Sequence, residues 1–256
     1  MSVDHGRLEE PHLPRRRAPG RFRQIGEDAA RRSFLRLVSH ELRTPLNSII
    51  GFSEIIAREL YGPIGEPRYR EHAEMVRDAG LRLLKLVNDV VEVARLEAGV
   101  VDLDLHAEDP LTILQDVAEA MESVAAARRV TLAIDEPVPG QVLADERGLK
   151  TALIQLVQNA IAFSPEGGTV RLSLRRTRDA MAFDVCDDGP GVDAENLKRI
   201  LQPFEQVENA LTRRSEGAGL GLPIARLLTE AMGGRLRLHS EPGQGLCASI
   251  HLPIAP

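Results

Sequence analysis

Tryptophan is absent from this 256-residue chain, and aromatic side chains make up only 3% of it. Its cores must therefore be built from Leu, Val, Ile and Ala, which favours helices with aliphatic seams. No apolar run approaches the ~18 residues that a membrane span requires. The N-terminus also lacks the charged, apolar and small-residue succession of a secretory signal. A cytoplasmic protein with no integral membrane segment is expected. Excess positive charge is missing too. The formal charge is −6, whereas general nucleic-acid binding rests on a basic surface that neutralises phosphates, so no nucleic-acid partner is expected. Only two cysteines occur, Cys186 and Cys247. Their spacing does not suggest metal ligation, and buried reduced thiols fit better than the one bridge they could form. What remains, 43% hydrophobic and 27% charged residues, is the composition of a folded globular protein long enough for about two domains.

Residues 1–25 are rich in Pro, Gly and Arg, including Arg15, Arg16 and Arg17, and show no apolar period. They read as a mobile basic tail. Residues 26–98 carry two helical patterns. In the first, Leu42, Leu46, Ile49 and Ile56 form an apolar seam running to about Leu60. The segment Tyr61-Gly62-Pro63-Ile64-Gly65-Glu66-Pro67 breaks it. In the second, Val76, Ala79, Leu83, Leu86, Val90 and Val93 recur three and four apart, beside a stripe of Leu84, Val87, Val91 and Ala94. One partner helix cannot cover so wide an apolar surface. Two hairpins packed as a four-helix bundle can, so a homodimer is expected. Residues 99–110 read as a linker. Residues 111–256 change to a mixed α/β pattern: helices near 111–128, 145–163 and 220–232, with strands near 130–134, 140–143, 169–176, 181–186, 235–240 and 246–252.

The segment Ser39-His40-Glu41-Leu42-Arg43-Thr44-Pro45-Leu46-Asn47 concentrates chemistry on one helix. His40, Arg43, Thr44 and Asn47 fall on the polar face opposite the seam. An imidazole there is largely neutral near pH 7 and can attack phosphorus. Glu41 can orient the ring or take the proton from its other nitrogen. Thr44, one turn on, can position a water. Pro45 cannot donate to the carbonyl of Glu41 and should bend the helix just past the histidine.

Four separated features in the second half suggest a nucleotide site. Gln155 and Asn159 share a helix face at i, i+4, and their side-chain carbonyls are hard oxygen ligands suited to Mg²⁺, although a solvated polar face looks the same. Asp187-Asp188-Gly189-Pro190-Gly191 follows an apolar strand; a strand-end carboxylate can accept from an exocyclic amine, and glycines allow close approach of a flat base. Gly217-Ala218-Gly219-Leu220-Gly221 opens a helix, where backbone amides favour phosphate. Gly243-Gln244-Gly245 lies in the last hairpin and is uninformative by itself.

The segment FLRLVSHELRTPLNSIIGFSE, residues 34–54, resembles the H-box of histidine kinases that carry the common dimerisation and phosphoacceptor domain. The four later features, in this order, resemble the N, G1, G2 and G3 boxes of the Bergerat ATPase fold. The resemblance implies an all-α helical hairpin followed by an α/β sandwich of the Bergerat ATP-binding type. It implies that His40 is phosphorylated by ATP, that Glu41 is its base and Thr44 a phosphatase-linked position, and that a response-regulator receiver domain docks beside His40. It further implies that Asn159 holds Mg²⁺ with Gln155 nearby, that Asp187 binds the adenine amine, and that Gly189, Gly191, Gly217, Gly219 and Gly221 shape the pocket. Pro203-Phe204 resembles the F-box, residues up to Glu216 the ATP lid, and Arg213 or Arg214 would reach the γ-phosphate. The stretches GFSEII, YGPIG and ALTRRSEGAGLGLPIA look most like alphaproteobacterial cell-cycle kinases. The family usually has Asn at position 155 and Lys or Arg at position 162; this chain has Gln155 and Ala162. Those departures motivate an alternative, a degenerate kinase acting as a phosphatase or docking scaffold. A conformational ATPase of the chaperone or mismatch-repair type shares the nucleotide boxes but leaves the His40 segment without a role.

Overall fold

The computed structural model describes residues 46–65, 67–136, 138–205 and 218–255. The expected basic tail, His40, Glu41, Thr44, Arg213, Arg214 and Gly217 lie outside the described residues.

Residues 46–57 are helical (α1) and lead through a turn into α2, Pro67–Glu97. Leu46 and Ala57 are buried, at 5% and 7% exposure. A Cβ on Gly80 of α2 would meet Ile50 Cγ1 at 2.7 Å, so the helices touch at a point that only glycine leaves open. Part of the expected seam faces outward: Ile49, Ile56, Val76, Leu83 and Val90 are 39% to 50% exposed, whereas Val93 is buried and Leu86 packs against the core. α2 ends where Gly99 turns to φ +65° and the Val100 amide returns to the Arg95 carbonyl at 3.0 Å, a glycine stop of the ordinary kind.

The α/β layer begins inside the stretch expected as a linker. Strand β1, His106–Glu108, pairs antiparallel with β3, Val142–Ala144. Between them run α3, Pro110–Ala127, and β2, Thr131–Ile134. Helix α4, Glu146–Phe163, starts at Asp145. One oxygen of Asp145 caps the Gly148 amide at 2.7 Å, and the other takes the Asp104 amide at 2.9 Å. A single carboxylate thus starts the helix and fastens the incoming chain. Asp145→Ala is expected to lower stability by about 1–2 kcal/mol, the usual worth of a cap. Thermal unfolding would show this as a melting midpoint a few degrees lower; an unchanged midpoint would mean that water replaces the carboxylate.

The main sheet has five strands ordered β2-β4-β5-β7-β6, with β4 at Thr169–Arg176, β5 at Ala180–Cys186, β6 at Arg235–Ser240 and β7 at Leu246–Pro253. Only β2 and β4 run parallel; the other pairs are antiparallel. Alternation assigns the faces. Val170, Leu172, Leu174, Met181, Phe183, Val185, Ala248, Ile250 and Leu252 are buried in the same cluster as side chains of α3, α4 and α6, Gly221–Ala231. The opposite face is polar. Its centre is Asp184, 4% exposed, bonded to Arg175 and to the Ser249 hydroxyl. Burial opposes its charge, but the Arg175 guanidinium and the Ser249 hydroxyl outweigh burial and hold the carboxyl below its usual range.

Two short elements escape the sequence pattern, β1 and the four-residue helix α5, Ala194–Leu197. The cysteines correct another expectation. Cys186 and Cys247 face each other across β5 and β7 and are joined as a disulfide, not held as separate reduced thiols. Their 61-residue separation hides a pairing that only strand register reveals. The end of α2 reaches the same layer, where Val93 and Leu96 are buried in one cluster with Leu222, Ala225 and Leu228 of α6. Among the described residues, no helix is long and apolar enough to cross a membrane.

Candidate functional site

The glycine segments converge on Asp187, the residue after β5. Its main chain continues the ladder, with its amide donating to the Leu246 carbonyl at 3.0 Å. Its Oδ1 accepts the amides of Gly189 at 2.9 Å and Leu246 at 3.1 Å. Among the described residues, Oδ2 accepts no hydrogen bond. The side chain is only 7% exposed, and this burial pushes the carboxyl above its usual range, with the neighbouring Asp188 charge adding to the rise. The two amides act in the other direction. The result is a fixed, desolvated acceptor with one oxygen available, the kind of group that binds an amine selectively.

The glycines around it are dictated by contact. A Cβ on Gly189 would stand 2.7 Å from Asp187 Oδ1 and 2.9 Å from the Phe163 carbonyl. Gly191 has φ +70°, and a Cβ there would overlap the Glu241 carbonyl. Gly245 has φ +74°, and a Cβ there would overlap the Asp187 carbonyl. The loop and the β6–β7 hairpin are then tied directly. The Gly243 amide donates to the Pro190 carbonyl at 2.7 Å. The Ser240 hydroxyl accepts the Val192 amide at 2.8 Å and donates to the Gly245 carbonyl at 2.5 Å.

Helix α4 forms the adjoining wall. Residues 155, 159 and 163 recur four apart and share a face. At one end of that face a Cβ on Gly221 would meet Gln155 Oε1 at 2.9 Å; at the other, Phe163 adjoins Gly189. Asn159 lies between these two contacts, half-buried. Its side-chain carbonyl is therefore placed between the segment that precedes α6 and the one that follows β5. Gly219, at φ +69°, accepts the Phe204 amide at 3.2 Å, which ties the Pro203-Phe204 segment to the start of α6.

The fold thus brings Gln155, Asn159, Asp187, Gly189, Gly191, Gly219 and Gly221 around one cleft side of α4. Two contributors were not singled out in the sequence. Ser240 precedes an ordinary Glu-Pro-Gly turn and carries no signal. Leu246 acts through its amide, which no side-chain pattern can show. Asp188 turns away to accept the Thr169 amide at 2.9 Å, so only one of the adjacent aspartates serves the cradle.

Comparison with known proteins agrees with this geometry. Residues 30–99 match the model of the His Kinase A (phospho-acceptor) domain, and residues 144–256 match that of the histidine kinase-, DNA gyrase B- and HSP90-like ATPase. The non-motile and phage-resistance protein of Caulobacter vibrioides is 39% identical over 232 residues, covering 88% of this chain and 27% of the relative. The cell-division control histidine kinase PdhS of Brucella abortus is 35% identical over 232 residues, covering 86% of this chain and 22% of PdhS. The chain therefore spans about a quarter of the length of these relatives. The crystal structure of full-length ShkA in complex with AMPPNP superposes with a TM-score of 0.74 at 35% identity, covering 87% of this chain and 46% of ShkA. With a phospho-acceptor domain match followed in the chain by an ATPase domain match, and with relatives among the alphaproteobacterial cell-division kinases, this chain belongs to the histidine kinase family.

Proposed function

We propose that the chain is the catalytic core of a cytoplasmic, dimeric sensor kinase that phosphorylates His40 from Mg·ATP and passes the phosphoryl group to an aspartate of a response-regulator receiver domain. The observation that carries this reading is Asp187: a buried carboxylate, one oxygen fixed by two amides, enclosed by glycines that admit no side chain. Such a cradle suits the exocyclic amine and flat ring of adenine. The half-buried amide oxygen of Asn159, with Gln155 one turn before it, suits a hard cation shared with phosphates. Bound there, Mg²⁺ would neutralise charge on the phosphate chain.

The chain's own residues then divide the work. Asp187 and the glycines hold the base; the amides that open α6 face the phosphates. An imidazole nitrogen of His40 attacks the γ-phosphorus as its bond to the β,γ-bridging oxygen breaks, and Glu41 takes the proton from the other ring nitrogen. Thr44 serves the reverse reaction, placing water for hydrolysis of the regulator's phosphoaspartate. The outward-facing Ile49, Ile56, Val76, Leu83 and Val90 supply the surface that a second copy covers.

Incubation with ATP labelled at the γ-phosphate tests this. The wild-type chain is expected to gain acid-labile, base-stable label, and His40→Gln to fall to background. Label that survives His40→Gln would overturn the assignment of the nucleophile. Gln155 and Ala162 favour one second reading, a degenerate kinase acting as phosphatase or scaffold. Failure to bind Mg·ATP at millimolar nucleotide would select it.

A further inference from the structure

Cys186 and Cys247 are the only cysteines in the chain, and the fold places them where a bond between them bears on Asp187. They form the end pair of the β5–β7 register. Immediately beyond that pair, Asp187 and Leu246 exchange the two hydrogen bonds that fix the carboxylate and its main chain, at 3.0 and 3.1 Å. The sulfur bridge is therefore one residue from the acceptor on one strand and one residue from its donor on the other. We infer that Cys186 and Cys247 form a reversible thiol–disulfide site that sets how tightly the Asp187 cradle holds nucleotide. The inference rests on the nucleotide reading given above.

Accessibility supports reversibility. Both cysteines are half-buried and lie on the sheet face opposite the helical core, the face that carries Asp184, Ser249 and His251. In the same row across the sheet, Arg171 is the register partner of Cys186 and His239 that of Cys247. Cross-strand partners stand within side-chain reach of each other. A guanidinium beside a thiol is the electropositive setting in which cysteines react with oxidants and exchange with other thiols.

The chemistry is complete with common reagents. Oxidation takes two electrons and two protons from the two thiols and joins their sulfurs; a hydroperoxide accepts both, leaving water and the corresponding alcohol, or two waters from hydrogen peroxide. Reduction is exchange with an external dithiol. Its thiolate attacks one sulfur, and the other leaves as thiolate and takes up a proton; the second thiol of the reductant then breaks the mixed disulfide, closing its own disulfide and releasing the remaining cysteine, which is protonated in turn. Closing the bond fixes the spacing of the two strand ends that hold Oδ1. Opening it leaves that spacing to the ladder alone. The Ser240 and Gly243 ties are untouched in either state, so the control is graded and does not abolish the site.

The test uses the full chain, oxidised with hydrogen peroxide or reduced with dithiothreitol, with Mg·ADP as probe. Alkylation followed by mass spectrometry counts free thiols; calorimetric titration gives affinity. The oxidised form is expected to show no alkylated cysteine and to bind Mg·ADP about tenfold more tightly than the reduced form, roughly the worth of one well-made hydrogen bond. The double variant Cys186→Ser, Cys247→Ser should bind as the reduced chain does and ignore the oxidant. Two alkylated cysteines after oxidation would overturn the pair. A closed bond with equal affinity in both states would overturn the control. Mg·ADP binding to neither form, with the bond still cycling, would overturn the nucleotide reading and the control resting on it, and leave the thiol chemistry standing.

Discussion

Replacing Asp187 by Asn should abolish useful ATP binding without unfolding the protein. The amide oxygen of Asn can still accept from the Gly189 and Leu246 amides, now 2.9 and 3.1 Å from Oδ1. Its nitrogen replaces the remaining oxygen, so a donor would confront the amine of adenine. Losing a charge-assisted hydrogen bond of about 2–3 kcal/mol corresponds to roughly 30- to 150-fold in affinity, and the donor–donor conflict adds to it. Stability should move the other way. Burial holds the folded-state pKa of this carboxyl above its unfolded value, so its stability contribution is present at low pH and lost as pH rises through the raised value. At neutral pH the ionised group costs stability, and neutral Asn removes that cost. Titration of Mg·ATP, beside a melting curve, should therefore show lost binding with an unchanged or higher midpoint. In the wild type, nucleotide affinity should fall on acidification, beginning above the ordinary aspartate range. A variant that binds ATP normally would remove Asp187 from the site.

Gly245→Ala is expected to disrupt the cradle itself. The position has φ +74°, and a Cβ there would overlap the Asp187 carbonyl. Neither side can yield easily. The Gly245 carbonyl accepts the Ser240 hydroxyl, and Asp187 is held by Leu246. Left-handed backbone strain and a forced main-chain shift together should cost about 3 kcal/mol or more, with nucleotide binding lost. Gly243→Ala is the control. Its φ is +80°, but nothing lies within 4 Å of an added Cβ. It carries the strain without the collision, about 1 kcal/mol. Melting midpoints and Mg·ATP titration of the two variants separate a backbone preference from a contact; equal effects would contradict the geometry at Gly245.

Much of this fold was legible because its periods are long. The second helix, the 169–176 strand and the 235–240 strand fell where their periods placed them. β1 was not legible: His-Ala-Glu has no apolar period, and the strand exists because β3 offers a main-chain partner. The cradle divides in the same way. Asp187, Gly189 and Gly191 announce themselves as glycines beside an acidic residue, and Gly219 and Gly221 as a glycine-rich stretch before a helix. The need for Gly245 arises from the carbonyl of a residue 58 positions away, visible only once β5 and β7 are in register. The cysteine bond belongs to that register too, and Ser240 to the pairing of β6 with β7. Where chemistry is carried by side chains in a local pattern, sequence reports it; where it is carried by backbone atoms brought from afar, sequence does not.

The burial of Val93 and Leu96 against α6 makes the last turns of α2 a latch between the two halves. Swinging the α/β layer toward the first helix would require those two side chains to meet water, at about 1.5–3 kcal/mol apiece. The resting posture is therefore favoured by a margin that one or two substitutions could erase. A torsion of the stalk that slips α2 past α6 would release the nucleotide-bearing layer without touching a single residue of its cradle.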